Sequence, residues 1–109
     1  MPKQTAVMNK RAVRGSRTGR PIMVLLDLLG RRWTLRILWE LRERSLTSRA
    51  VRAACDEASP TVLQARLSEL RQAGLVELAA DGYQLTAPGR ELNETFLPLH
   101  RFAERWSKR

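Results

Sequence analysis

The sequence predicts a mainly α-helical fold that carries one small β-hairpin. Three observations lead to this prediction. An apolar stripe with a helical period runs from Ser59 to Gly74, two short strand-like segments follow it without a linker, and further helical patterns fill the rest of the body. A helix that passes directly into a hairpin is the order of elements in a winged helix-turn-helix. We therefore expect this architecture over residues 21 to 109.

Length and charge indicate one domain preceded by a basic arm. The chain has 109 residues, and residues 1 to 20 contain six basic side chains and no acid, which leaves +3 of the net charge of +9 for the body. We expect a disordered arm that follows DNA phosphates or enters a minor groove, and a solubilising tail is the alternative. Neither a signal peptide nor a membrane-spanning run is visible, so a cytoplasmic protein without membrane partners is expected.

The first two helices follow from apolar patterns. Ile22 to Leu29 is apolar nearly all round and follows Pro21, which predicts a first helix that is buried on most sides and ends at Gly30. Trp33 to Arg42 predicts a second helix. Its inner face is expected to hold Thr34, Ile37, Leu38 and Leu41.

A short third helix and a tight connection predict the helix-turn-helix itself. Thr47 can cap a helix whose inward residues are Ala50, Val51 and Ala54. Residues 56 to 58 then form a connection of the length that a helix-turn-helix uses.

The fourth helix has the clearest start and end. Ser59 supplies a cap, Pro60 fits the first helical position, and Gly74 is a left-handed terminator. Its apolar stripe is made of Val62, Leu63, Leu67 and Leu70. The opposite face is small and polar, which lets the backbone approach base edges in a DNA groove, although a solvated surface helix is the alternative. We predict DNA base contacts by Thr61, Gln64, Ala65 and Ser68.

The predicted hairpin is short and acidic. Residues 75 to 78 and 83 to 86 are strand-like, and Asp81-Gly82 between them indicates a turn with positive φ at both residues. The hairpin offers the acids Glu77 and Asp81, so phosphate contacts are assigned elsewhere. Arg66 is alternatively a brace of the fold through an acid such as Glu40. The predicted phosphate contacts are Arg31, Arg32, Arg49, Arg66 and Arg71 in the body and Lys10, Arg11, Arg14 and Arg17 in the arm.

The last helix predicts a homodimer. Its apolar residues repeat at intervals of four and three, the spacing of a coiled-coil seam, and Pro98 should kink the helix or end a first segment near Phe96. One helix cannot bury such a seam alone, so we expect pairing of two copies through the terminal helices; packing of the seam on its own domain is the alternative. The predicted interface comprises Ile22, Leu25, Leu26, Leu29, Leu92, Phe96, Leu99, Ala103 and Trp106.

Enzymatic and metal chemistry find little support. His100 is the single histidine, and no glycine-rich phosphate loop is present, so we predict no catalysis and no cofactor. We interpret His100 as an ordinary interfacial or surface residue, with pH sensing as the remote alternative. One cysteine and one histidine do not make a zinc site, so no metal is expected. Cys55 is either a buried structural thiol or a redox switch; its acidic neighbours Asp56 and Glu57 disfavour the thiolate.

Four segments together resemble those of one known family. They are GRRWTLRILWEL at Gly30 to Leu41, LQARLSELRQAGLVE at Leu63 to Glu77, YQLTAPGREL at Tyr83 to Leu92, and a closing helix that reaches Trp106. In this combination the chain resembles HxlR-type (MarR-like) bacterial transcription regulators. The resemblance implies a homodimeric winged-helix repressor or activator that binds a palindromic operator. Arg20 stands where many members carry a cysteine, so redox sensing at that position is not expected.

Two functions of other classes remain open. A winged helix can serve as a protein-interaction module without specific DNA binding, in which case the face from Thr61 to Gln72 would contact a protein. An RNA-associated basic protein is the other alternative, and the lack of an aromatic stacking platform argues against it. The sequence identifies neither an operator nor an effector.

Overall fold

A computed structural model describes residues 19 to 56 and 58 to 108, and most of the predicted arm, residues 1 to 18, lies outside this part. The predicted fold class is confirmed: the described residues form helices and one two-stranded antiparallel sheet. Gly19 is buried and Arg20 is the N-cap of the first helix. The elements are α1 (Pro21–Leu29), α2 (Thr34–Glu40), α3 (Ser48–Ala54), α4 (Pro60–Gln72), β1 (Val76–Ala79), β2 (Gly82–Leu85) and α5 (Ala87–Ser107).

The hydrophobic core lies where α2, α3, α4 and the hairpin meet. Ile37, Leu38 and Leu70 are completely buried there, as the apolar stripes predicted. Each such side chain contributes about 1.5 to 3 kcal/mol by leaving water. The buried cluster contains Leu29, Ile37, Leu38, Leu41, Leu46, Val51, Cys55, Leu63, Leu67, Leu70, Val76, Tyr83 and Leu85. This packing fixes the orientation of α4, and therefore decides which of its faces points outward.

The helix boundaries follow the local signals that the sequence contains. The Ser59 hydroxyl accepts a hydrogen bond from the Val62 amide at 3.4 Å, and Pro60 occupies the first position of α4. Gly74, with φ +76°, follows the end of this helix as predicted. The Thr47 hydroxyl likewise accepts from the Ala50 amide at 3.1 Å and caps α3.

The hairpin turn differs from the prediction by one residue. Ala79 pairs with Gly82, so Ala80 and Asp81 form the turn. Only Gly82 has a positive φ, at +126°, whereas the prediction gave positive φ to Asp81 as well. A third chain segment lies beside β2, where Leu46 pairs with Tyr83 as an isolated bridge.

The two terminal helices leave apolar surface uncovered. Helix α1 was predicted to be buried on most sides, which is wrong within one copy of the chain: Ile22 and Leu26 are 55% and 51% exposed. Helix α5 runs without interruption through Pro98, so the predicted end near Phe96 does not occur. Its first half is anchored to the core, where Asn93 Nδ2 donates to the Leu38 carbonyl at 2.8 Å. Residues 97 to 108 are all exposed.

Membrane-spanning helices and metal clusters are both absent from the described part of the chain. None of the helices over residues 19 to 56 and 58 to 108 combines the length and apolar character that a bilayer requires. The same residues contain no group of three or more histidine, cysteine, aspartate or glutamate side chains that could hold a metal ion.

Candidate nucleic-acid interface

The outer face of α4 is a small polar surface. Thr61, Gln64, Ala65 and Ser68 are all exposed. Thr61, Ala65 and Ser68 lie opposite the buried leucines of the same helix, and Gln64 flanks them. The structure therefore brings the four predicted base-contacting residues onto one face that the described chain leaves open. No long charged side chain arises from these four positions, so the helix backbone can approach a partner surface closely.

One of these four side chains is tied to the wing. Gln64 Nε2 donates a hydrogen bond to the Tyr83 hydroxyl at 2.9 Å, which connects α4 to β2. Sequence reasoning missed this contact. It joins residues 19 positions apart in two different elements, and neither helical nor strand periodicity carries a signal for such a pair.

Two of the predicted phosphate contacts, Arg31 and Arg66, have partners within the chain. Arg31 lies 2.9 Å from the Asp27 carboxylate and 3.2 Å from that of Glu69. Arg66 reaches the same Glu69 at 2.7 Å and donates through Nε to the Arg32 carbonyl at 3.1 Å. Arg66 therefore braces the fold, as its alternative interpretation held, but through Glu69 and not Glu40. This cluster links α1, the turn before α2, and α4.

The cluster shifts the pKa values of Glu69 and Arg31. Burial by itself would raise the pKa of Glu69, but the hydrogen bonds and charges of Arg66 and Arg31 outweigh it, and the pKa is lowered. Burial would likewise lower the pKa of Arg31, yet the hydrogen bonds to Asp27 and Glu69 leave it raised. Both shifts favour the charged forms, so Glu69 and Arg31 are ionised over the physiological range.

The connection between α3 and α4 is held by arginines from α2 and α3. Arg36 pairs with Glu40 at 2.8 Å and donates to the Ala54 carbonyl at 2.5 Å, and the hydrogen bond with Glu40 raises its pKa. Arg52 donates to the Ala58 carbonyl at 3.2 Å. Asp56 takes a positive φ of 57°, a conformation that aspartate adopts more readily than most residues. These contacts set the angle between α3 and α4.

Cys55 lies at this connection and is fully buried. Its exposed fraction is 0%, and it packs in the core. Burial raises the pKa of the thiol, and the nearby carboxylates of Glu40 and Asp56 raise it further against the opposing charge of Arg36. A buried thiol held in its neutral form is a poor nucleophile. The structure therefore favours the structural interpretation of Cys55 over a redox switch.

The remaining predicted phosphate contacts are exposed or outside the described residues. Arg32, Arg49 and Arg71 are exposed, and the Arg32 guanidinium lies 5.4 Å from the centre of the Trp33 ring. Trp33 precedes α2 in a left-handed conformation, with φ +76°, so α2 begins one residue later than predicted. The arm residues Lys10, Arg11, Arg14 and Arg17 lie outside the described part of the chain.

The predicted dimer residues divide into two groups. Leu29 is buried in the core of its own copy, which corrects its assignment to the interface, and Leu25, Leu92 and Phe96 also pack against that core. The members that are exposed are Ile22, Leu26, Leu99, Ala103 and Trp106.

Sequence reasoning missed three exposed apolar residues near this surface. Leu35, Leu97 and Phe102 are 42%, 42% and 47% exposed. Phe102 could have been found, because it stands three residues after Leu99 and four before Trp106 and therefore shares their helix face. The seam rule selected Ala103 in its place.

An apolar hollow of about 220 Å³ separates α2 from the outer half of α5. Its wall includes Leu35, Phe96 and Leu99. His100 stacks on Trp39 beside it, with ring centres 4.5 Å apart, and is exposed, which agrees with its interpretation as an interfacial or surface residue. Helices α1 and α5 thus present exposed apolar surface, and a hollow between α2 and α5 is left unfilled within one copy.

The helices, the wing and the open polar face of α4 define a winged helix-turn-helix of the kind found in transcription regulators. The particular family follows from a direct match. The protein-family model described as HxlR-like helix-turn-helix matches residues 28–109 of the sequence. The chain therefore belongs to this family of winged helix-turn-helix transcription regulators.

Two solved structures have similar folds. The quinone-bound YodB from B. subtilis has a TM-score of 0.71 and 27% sequence identity over 77% of this chain and 96% of its own. A possible HxlR family transcriptional factor from Thermoplasma volcanium has a TM-score of 0.70 and 27% identity over 78% of this chain and 83% of its own. A comparison with curated protein sequences gave no match.

Proposed function

We propose that the protein is a sequence-specific DNA-binding regulator that acts as a homodimer on a palindromic operator. The observation that carries this proposal is the outer face of α4, where Thr61, Gln64, Ala65 and Ser68 stand open to a partner. Helix α3 and the hydrophobic core hold α4 in place, so the small polar face of α4 can enter the major groove as a unit. These four residues are the proposed base contacts.

Phosphate contacts are proposed for the exposed arginines around this face. Arg49 at the start of α3 and Arg71 near the end of α4 are exposed, and Arg32 extends from the turn before α2. We leave Arg31 and Arg66 out, because their guanidinium groups are already paired with Glu69. The arm adds Lys10, Arg11, Arg14 and Arg17, which would follow the backbone electrostatically.

The dimer is proposed from the exposed apolar surface of α1 and α5. Leu99, Phe102 and Trp106 are 58%, 47% and 63% exposed and lie on one face of α5. An exposed helix end of this length gains little stability from its own hydrogen bonds, so packing must hold it. A second copy offers the same apolar surface, and a two-fold axis would bring the two α5 helices together. Two such copies would place their α4 helices in successive major grooves.

The test is binding to DNA selected from random duplexes. The wild-type protein is expected to enrich a palindromic sequence and to bind it in gel shifts at two salt concentrations. Removal of residues 1 to 18 should weaken binding to all sequences and flatten the dependence on salt, by a slope of about 0.9 for each phosphate that the arm no longer neutralises. Weak binding without any enriched sequence would contradict the proposal and favour the protein-interaction alternative.

A further inference from the structure

A hydrogen bond joins the wing to Gln64, one of the proposed base contacts. Gln64 extends from the outer face of α4, and its Nε2 donates to the Tyr83 hydroxyl at 2.9 Å. Gln64 is exposed, whereas Tyr83 is only 5% exposed. The hydrogen bond therefore runs from the rim of the proposed DNA surface to a group inside the fold.

Tyr83 is a fixed point in the structure. Its amide donates to the Leu46 carbonyl at 2.8 Å, and its carbonyl accepts from the Leu46 amide at 2.9 Å. On its other side it is paired with Leu78 in the hairpin. The two hydrogen bonds to Leu46 thus hold the backbone of Tyr83 while the core holds its ring, so the hydroxyl has little freedom to move.

This anchor limits what the amide of Gln64 can offer to a base. The Nε2 group has two hydrogens, and one of them is used by Tyr83. One N–H donor and the Oε1 acceptor remain on the same planar group. In the major groove, adenine presents the complementary pair, an acceptor at N7 and a donor at the N6 amino group.

We infer that Tyr83 is a positioning residue that orients Gln64 to read an adenine. The inference rests on the proposed DNA-binding function and adds to it a base and a role for the wing. Without Tyr83, the glutamine amide would rotate freely and would need to be ordered each time it met a base. The short, acidic wing then contributes to specificity through α4 and needs no contact with phosphate itself.

The main experiment compares base discrimination in matched variants on the selected operator. Gln64→Ala identifies the base position that the side chain reads, where the wild type should prefer adenine by about 5- to 150-fold. Tyr83→Phe removes only the hydroxyl and should lower this preference by about 2- to 12-fold. Affinity for unrelated DNA and the salt dependence should not change. The double variant should discriminate no worse than Gln64→Ala alone.

Modified DNA tests the same contact from the other side. Replacement of the adenine by 7-deazaadenine removes N7 and should weaken binding of the wild type but not of Gln64→Ala. Gln72→Ala is the matched control, because Gln72 is another exposed glutamine of α4, eight residues further along. This control variant should lose affinity on 7-deazaadenine as the wild type does.

A second readout does not depend on the stability of Tyr83→Phe. The chain contains one tyrosine, so 3-fluorotyrosine labels this position alone. The fluorine resonance should shift in Gln64→Ala and stay in place in Gln72→Ala.

The possible results separate the two levels of the argument. If the wild type selects no sequence, the proposed function fails and the inference fails with it. If the wild type selects an operator but Tyr83→Phe keeps full discrimination, or Gln64 reads a base other than adenine, only the inference is overturned.

Discussion

Individual backbone conformations explain why certain residues stand where they do. Gly82 combines a φ of +126° with a position where an added Cβ would lie 2.5 Å from the Leu46 carbonyl oxygen. Gly74 also has a positive φ, +76°, but an added Cβ there would meet nothing within 4 Å. The two glycines therefore separate the cost of the dihedral angle from the cost of a close backbone approach.

We predict that Gly82→Ala destabilises the protein more than Gly74→Ala. The first substitution adds strain and a clash with backbone, together about 2 to 5 kcal/mol. The second adds strain alone, about 1 to 2 kcal/mol. Urea unfolding followed by circular dichroism measures both free energies. An equal decrease in the free energy of unfolding in the two variants would show that the backbone at Leu46 moves to accommodate the added methyl group.

At the same scale, side-chain type and spacing were enough to predict the caps at Thr47, Ser59 and Gly74. These signals are local, so the sequence contains them in full. The left-handed Trp33 was not predictable in this way, because a bulky side chain disfavours that conformation unless tertiary contacts impose it. The Arg32 carbonyl just before it is held by Arg66 from another helix.

Among the elements, α4 is positioned by charges as well as by apolar packing. Glu69 is the centre of the cluster, since it accepts from Arg66 and pairs with Arg31, which in turn pairs with Asp27 of α1. This arrangement ties α4 to α1 and to the turn that precedes α2. The sequence left Arg66 either as a phosphate contact or as a brace through an acid such as Glu40, and the acid that it pairs with, Glu69, lies one turn further along the same helix.

Stability should depend on pH through Glu69. Its pKa is lower in the folded state than its ordinary value of 4.5, so the folded state favours the ionised form. The stabilisation is therefore fully present above that value and is lost as the pH falls through the lowered pKa. The free energy of unfolding should differ most between wild type and Glu69→Gln near pH 7, and the difference should shrink toward pH 3.

The measurement is urea unfolding at several pH values, with Glu91→Gln as the control. Glu91 is an exposed acid on α5, and its substitution should change the free energy of unfolding little at any pH. A constant difference between wild type and Glu69→Gln across the pH range would show that the charge of Glu69 is not what stabilises the cluster.

At the scale of the whole molecule, the sequence predicted a dimer through apolar surface on the terminal helices but not which of their residues stay exposed on one copy. The pattern of α5 marked the seam, yet Leu92 and Phe96 at its start pack on the core of their own copy. Seam spacing cannot tell which turns meet the domain and which extend past it. Phe102 and Leu35 became visible as exposed apolar residues only in three dimensions.

The last prediction is that the exposed surface of α1 holds two copies together. Leu26 on α1 and Leu78 on the wing are the same residue type and are both 51% exposed, which makes them a matched pair. Leu26→Glu would place one unpaired charge from each copy in the proposed interface and should raise the Kd of the dimer by at least about 100-fold. Leu78→Glu should leave the dimer intact, because the wing lies outside the proposed interface.

Light scattering after size exclusion measures the mass of each variant over a range of concentrations, and circular dichroism checks that both are folded. A wild type that stays monomeric at high concentration would contradict the prediction. A Leu26→Glu variant that stays dimeric, as Leu78→Glu should, would mean that this part of α1 does not belong to the interface.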